Sequence, residues 1–117
     1  MKISVIGGGN VGGTAALRIA QADLGDVYLV DIAPGLAKGK AFDLEDSRAL
    51  VGVDYSVTGT DRLSDIAGSD IIVITAGLAR KPGMTREDLL AKNCAVFKGI
   101  CDEIGRASCR ERVCLYV

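Results

Sequence analysis

A glycine loop between an apolar strand and an apolar helix constrains the fold of this chain more than any other feature. Residues 2–6 have the composition of a short buried strand, and residues 10–22 carry small and apolar side chains, as a packed helix does. The loop between them satisfies G-x-G-x-x-G and reads Gly7, Gly8, Gly9, Asn10, Val11, Gly12. Any tight strand-to-helix turn recruits glycine, but both flanking segments here favour a turn that binds phosphate groups at the start of a helix.

An acidic residue follows the next predicted strand at the spacing that such a loop requires. Residues 27–30 form the strand, and Asp31 closes it, about 20 residues beyond the last glycine of the loop. A carboxylate there binds the adenosine ribose hydroxyls and repels a 2′-phosphate, so the pattern predicts NAD in preference to NADP. The alternative is that Asp31 merely ends a strand.

The remaining pattern alternates strands with helices. We predict a Rossmann-type α/β fold with a parallel sheet of about four strands, ordered 3-2-1-4, and flanking helices. Thr85 is placed to cap the last helix. The further predicted elements are a helix at 36–46, a strand at 55–59, a short turn at 65–68, a strand at 70–75 and a last helix that ends near Ile104.

Composition restricts the partners and the compartment. The 117 residues carry a formal net charge of −1, and the charges are not clustered, which argues against nucleic acid and membrane surfaces and favours a small-molecule partner. No segment resembles a signal sequence or a membrane span, so we expect a cytoplasmic protein. The four cysteines lack metal-ligand spacing, so we expect free thiols and no metal, with Cys94 and Cys101 on a buried helical face.

Two arginines follow the fourth predicted strand. Arg80 and Arg86 flank Pro82-Gly83, which is either a simple turn or the hinge of a mobile loop. Because guanidinium groups bind carboxylates through paired hydrogen bonds, the loop indicates a small anionic substrate. Ordinary solvated loop charges are the alternative.

Several segments together resemble a known family. GGGNVGGTAALRIA, YLVDI, GKAFDLEDS and ITAGLARKPGMTREDLLAKN are similar to the NAD-binding half of malate dehydrogenases in the lactate/malate dehydrogenase superfamily, over residues 1–103. The resemblance implies that Arg80 binds the far carboxylate of malate or oxaloacetate, where lactate dehydrogenases carry Gln. It also implies that Arg86 polarises the substrate carbonyl and that Asn93 contacts NAD and substrate. Two alternatives remain. The substrate is lactate or another 2-hydroxy acid, or the chain is a stand-alone NAD-binding module.

The chain contains no histidine, although oxidation of a 2-hydroxy acid needs a proton acceptor. In the resembled family an Asp and a His of the C-terminal half do this work, so we expect no catalytic residue within this chain and no turnover by the chain alone. The resemblance further implies a homo-oligomer and a place in the tricarboxylic acid cycle.

The last residues depart from the family pattern. IGRASCRERVC, which begins at Ile104, resembles the conceptual translation of a sequencing-adapter oligonucleotide, so we expect 104–117 to be a non-native tail and the C-terminal catalytic domain to be absent. A fifth strand is then missing, and the fourth strand is expected to form an open, aggregation-prone sheet edge.

Overall fold

The computed structural model describes residues 1–107 and 112–115. A parallel sheet with helices on both faces forms from the alternation of apolar strands and helices, as the sequence predicts. The strands are β1 (Lys2–Ile6), β2 (Asp26–Val30), β3 (Val57–Thr60), β4 (Ile71–Ile74) and β5 (Arg112–Leu115); the α-helices are α1 (Asn10–Gln21), α2 (Leu36–Val51) and α3 (Arg86–Ala107). A 3₁₀ turn at Leu63–Ile66 precedes β4.

The strands lie in the order β3-β2-β1-β4-β5, and every pairing is parallel. On β1, Ile3 lies opposite Val27 of β2 and Ile71 of β4. This arrangement confirms the predicted order of the first four strands. It also places the carboxyl ends of β1, β2 and β4 side by side. Doubly wound folds bind their ligands at this end of the strands.

Each face of the sheet carries its own hydrophobic core. On one face α1 and α2 cover the sheet, with Val5 and Leu29 fully buried. On the other face α3 and the 3₁₀ turn pack through Ile100 and Ile66 onto Ile72. Strands that are covered on both sides explain the nearly continuous apolar sequence of β1 and β4.

One expectation about the sheet is wrong. The fourth strand is not an edge strand, because β5 pairs with β4 and places Arg112 opposite Ile71 and Leu115 opposite Ile74. Strand pairing uses backbone N–H and C=O groups, so it does not require a particular pattern of side chains. The origin of residues 104–117 is a separate matter, and their non-native character stays a prediction.

Two helices are longer than predicted. Helix α2 continues to Val51 because its stop signal is Gly52, which has a φ of +73° and donates its N–H to the Arg48 carbonyl. Helix α3 continues to Ala107 rather than Ile104. Among the described residues, no helix has the length and apolar character needed to cross a membrane.

Candidate dinucleotide site and substrate loop

The first and third glycines of the loop are required by close contacts. Gly7 has a φ of +112°, and a Cβ added there would lie 2.8 Å from the Thr75 hydroxyl oxygen. A Cβ on Gly12 would collide with the Gly7 carbonyl oxygen. The tight turn and the close packing of α1 against β1 therefore depend on these two residues.

The second glycine of the motif borders open space. Gly9 immediately precedes α1, and a Cβ added there would meet no heavy atom within 4 Å. Asn10 and Val11 are exposed and begin the helix, where backbone N–H groups lack partners within the helix. This bare backbone surface fits a pyrophosphate, which would be held by the first N–H groups of α1 and favoured by the helix dipole.

Asp31 lies against the glycine loop. Its Oδ2 accepts a hydrogen bond from the Gly8 N–H at 2.6 Å, and its Oδ1 accepts one from the Ala33 N–H at 2.8 Å. A carboxylate accepts about four hydrogen bonds, so both oxygens retain capacity for ribose hydroxyls. The side chain thus holds the loop in place and remains able to bind a ribose.

Thr75 is a site residue that the sequence analysis missed. Its hydroxyl lies 3.1 Å from the Ile6 carbonyl oxygen and 3.2 Å from that of Gly7, so it donates to the end of β1 from the end of β4. The available signal was a lone hydroxyl residue directly after an apolar strand. Such residues lie at the ligand-binding edge of a parallel sheet.

The loop after β4 folds back on itself. The Met84 N–H donates to the Lys81 carbonyl at 3.1 Å, and Gly83 has a φ of +86°, which with Pro82 before it is the pattern of a type II turn. The Arg80 Nε donates to the Met84 carbonyl at 3.2 Å, while the side chain remains exposed. Pro82-Gly83 therefore forms a tight turn, and its role as a hinge stays a prediction.

Helix α3 begins with a reciprocal cap. The Asp88 N–H donates to the Thr85 hydroxyl at 3.1 Å, and the Thr85 N–H donates to a carboxylate oxygen of Asp88 at 3.2 Å. The predicted capping role of Thr85 is confirmed. Arg86 is the first residue of the helix and is exposed, and within residues 1–106 its side chain has no hydrogen bond or ion pair to another residue.

Asn93 joins α3 to the start of the loop. Its side-chain oxygen accepts a hydrogen bond from the Leu78 N–H at 2.8 Å, which leaves its NH₂ group able to donate to a ligand. Asn93 also lines a cavity of about 670 Å³ between the end of β4 and α3, together with Thr75, Gly77 and Leu90. The structure therefore places Asn93 beside the ligand edge of the sheet.

The expected burial of two cysteines is wrong. Cys94 and Cys101 are free and exposed, and they line the same cavity as Asn93. The face of α3 that packs on the sheet instead carries Val96 and Ile100, one step round the helix. Cys109 and the side chain of Cys114 lie outside the described residues.

The predicted site residues lie together at the carboxyl ends of the strands. The glycine loop follows β1, Asp31 follows β2, and the arginine loop follows β4, the strand beside β1. Helix N-termini and arginines at this end of the strands can bind an anionic dinucleotide next to an anionic substrate. Among the residues that the structure describes, no group of three or more His, Cys, Asp or Glu side chains is arranged to hold a metal ion.

Comparison with known proteins also indicates a dinucleotide-binding domain. The family model described as the NAD binding domain of lactate/malate dehydrogenase matches residues 1–117. Malate dehydrogenase of Chlorobium chlorochromatii is 52% identical over 109 residues, which are 92% of this chain and 35% of that relative. The chain thus spans about a third of the length of the relatives that it matches.

Solved structures share the fold, and one of them holds NADH. The apo malate dehydrogenase of Picrophilus torridus superposes with a TM-score of 0.91 at 43% identity, over 97% of this chain and 37% of that one. The Archaeoglobus fulgidus malate dehydrogenase in complex with NADH superposes with a TM-score of 0.89 at 40% identity, over 98% of this chain and 40% of that one. The chain belongs to the lactate/malate dehydrogenase family, of which it carries the NAD-binding domain.

Proposed function

We propose that this chain is the cofactor-binding part of an NAD-dependent malate dehydrogenase, which interconverts (S)-malate and oxaloacetate. NAD, when bound, accepts the hydride from malate. The observation that carries the proposal is the position of Arg80, an exposed cation on the loop that leaves β4, the strand adjacent to the one that ends in the glycine loop. A cation there can bind a second carboxylate, which malate has and lactate lacks.

The two arginines have different tasks in this proposal. Arg80 binds the far carboxylate of the dicarboxylate through paired hydrogen bonds. Arg86 polarises the substrate carbonyl and stabilises the negative charge that develops on its oxygen. Among residues 1–106 the Arg86 side chain has no competing partner, which supports this role. The NH₂ group of Asn93 has no acceptor among the same residues, which supports its contact with NAD and substrate.

The proton of the substrate hydroxyl requires an acceptor that this chain does not contain. The sequence holds no histidine, and the relatives are about three times as long as the segment matched here. We propose that an Asp–His pair from the part of the relatives that this chain does not span completes the active site. The isolated chain is then a binding domain without turnover.

The proposal extends to the cellular setting. Free Cys94 and Cys101 suit the reducing cytoplasm. Exposed Phe42 and Leu50 on α2, with 69% and 90% of their surfaces accessible, support assembly as a homo-oligomer. A malate/oxaloacetate substrate pair places the reaction in the tricarboxylic acid cycle.

A chimaera tests the proposed function. Residues 1–103 are joined to the remaining portion of Chlorobium chlorochromatii malate dehydrogenase, and NADH oxidation is followed with oxaloacetate and with pyruvate. We expect oxaloacetate to be reduced with the larger kcat/KM. A chimaera that prefers pyruvate would establish the lactate-type alternative. A folded chimaera that binds NADH but reduces neither acid would favour a stand-alone NAD-binding module.

A further inference from the structure

A lysine from α2 reaches the glycine loop. The Lys40 Nζ donates to the Gly9 carbonyl at 3.0 Å, although the two residues are far apart in the sequence. The lysine stem lies on Gly13, where an added Cβ would be 3.4 Å from Lys40 Cδ and 3.3 Å from Nζ. Its neighbours Ala37 and Ala41 are buried, so the segment of α2 that carries Lys40 is held by the core.

This contact fixes one peptide unit of the loop. The Gly9 carbonyl accepts a second hydrogen bond, from the Gly13 N–H at 2.9 Å. The Gly9–Asn10 peptide is trans, so its N–H points opposite to its carbonyl. Two donors on the carbonyl therefore hold the Asn10 N–H pointing away from the helix body. A Cβ added at the adjoining Gly9 would meet no heavy atom within 4 Å, so this side of the loop is open.

The charge of Lys40 also suits an anionic ligand. Residues 7–13 contain no basic side chain, and the acidic Asp31 contacts the loop at Gly8. Asp43 lines the same cavity as Lys40 without forming an ion pair with it. An ammonium group has three donors, and Gly9 is the partner of one of them, so Lys40 retains donors and a positive charge beside the helix N-terminus.

We propose that Lys40 is a positioning residue for the dinucleotide pyrophosphate, which holds the Gly9 carbonyl so that the Asn10 N–H faces the phosphate site. The inference rests on NAD binding by the family domain and extends it to a residue outside the glycine motif. Lys38 provides a matched control, because it is an exposed lysine of the same helix without a side-chain hydrogen bond among the described residues.

The first test measures ligand binding by the 117-residue chain. Lys40→Met, Lys40→Arg and Lys38→Met are compared with the unchanged chain in titrations of NADH, ADP-ribose and adenosine. We expect Lys40→Met to raise the Kd of NADH and ADP-ribose about 10-fold, because a charge-assisted contact is lost. Adenosine has no phosphate, so its Kd should not change. Lys40→Arg should restore most of the affinity, and Lys38→Met should resemble the unchanged chain.

The second test needs no ligand. Hydrogen exchange of the Gly13 amide, which shares the Gly9 carbonyl with Lys40, should become about 10-fold faster in Lys40→Met than in Lys38→Met. Equal exchange in the two variants would overturn the proposal, as would loss of adenosine and NADH affinity by the same factor. If the unchanged chain does not bind NADH, the proposed function fails for this chain, and the exchange measurement then decides the role of Lys40 separately.

Discussion

Asp31 accepts a hydrogen bond from the Gly8 N–H at 2.6 Å, so the residue expected to recognise the ribose also holds the phosphate loop. The relationship joins the end of β2 to the turn after β1. It means that the acid cannot be exchanged without effects on both cofactor choice and loop geometry. The two effects are read out by two different measurements on one variant.

Asp31→Asn should weaken discrimination between NADH and NADPH. Removal of the negative charge relieves repulsion of the 2′-phosphate, so the ratio of the two Kd values should fall about 10-fold. Unfolding free energy should fall by about 1 kcal/mol, since the backbone N–H groups lose a charged acceptor. Fluorescence titration and urea unfolding measure the two quantities. Asp23→Asn, in the turn that follows α1, serves as the control, and an unchanged Kd ratio would contradict the role of Asp31 in cofactor choice.

Alanine substitutions at two glycines of the same motif should affect different properties, stability in one case and NADH affinity in the other. Gly12→Ala places a Cβ on the Gly7 carbonyl, so it should destabilise the chain by about 3 kcal/mol. Gly9→Ala adds a methyl group to open space with a φ of −66°, so stability should hardly change while NADH affinity falls. Urea unfolding and NADH titration of both variants check this. Similar stability losses in the two variants would show that Gly9 is packed rather than open.

The cap of α3 should contribute measurably to stability. Thr85→Ala removes the hydroxyl that accepts from the Asp88 N–H, and we expect a loss of about 1 kcal/mol in unfolding free energy. Thr85→Ser keeps the acceptor and should retain most of the stability. The comparison uses urea midpoints of the two variants. Equal midpoints would mean that the capping contact carries no net free energy.

Asp65 should make stability fall in acid. The hydrogen bond from the Thr60 hydroxyl, followed by the charge of Arg62, lowers the pKa of this carboxyl below its ordinary value of 3.8. A lowered pKa means that the folded state favours the ionised form. The stabilisation is therefore complete well above pH 3.8 and is lost as the pH falls through the lower, folded-state pKa.

Asp65→Asn is the variant that isolates this contribution. Between pH 5 and pH 2, roughly the range over which a lowered carboxyl titrates, its unfolding free energy should fall less steeply than that of the unchanged chain. Asp61→Asn is an exposed control on the same connection. Parallel pH profiles for the unchanged chain and Asp65→Asn would refute the assignment.

The parts of the fold that were predictable depend on local signals. The glycine loop, its flanking elements and the spacing to Asp31 are contiguous patterns, and the structure confirms the strand order that they imply. Gly52 is a local stop signal at the end of α2, which lies five residues beyond the predicted end at residue 46. Local patterns fix the type of an element more reliably than its ends.

The parts that were missed depend on contacts between distant segments. Lys40 reaches Gly9 only because α2 packs beside α1, and nothing in the sequence near either residue indicates this contact. Pairing of β5 with β4 uses backbone groups, which no side-chain pattern predicts. The exposure of Cys94 depends on which face of α3 meets the sheet, and a seven-residue spacing alone does not decide that face.

A simple assay checks that this domain binds NADH but does not oxidise malate. The purified 117-residue chain should enhance or shift NADH fluorescence on binding and should show no malate-dependent formation of NADH, since it holds no histidine to accept the proton. Activity that purifies with the chain, and that persists in a preparation free of host enzymes, would contradict the expected need for further residues.

The most direct test of the central claim concerns Arg80. In the chimaera described above, the ratio of kcat/KM for oxaloacetate to that for pyruvate is measured with Arg80 and with Arg80→Gln, and Lys81→Gln controls for loss of a neighbouring charge. If Arg80 binds the second carboxylate, Arg80→Gln should lower the ratio about 100-fold, and Lys81→Gln should leave it nearly unchanged. A ratio that is the same with Arg80 and with Gln at this position would contradict the assignment of a dicarboxylate substrate to this loop.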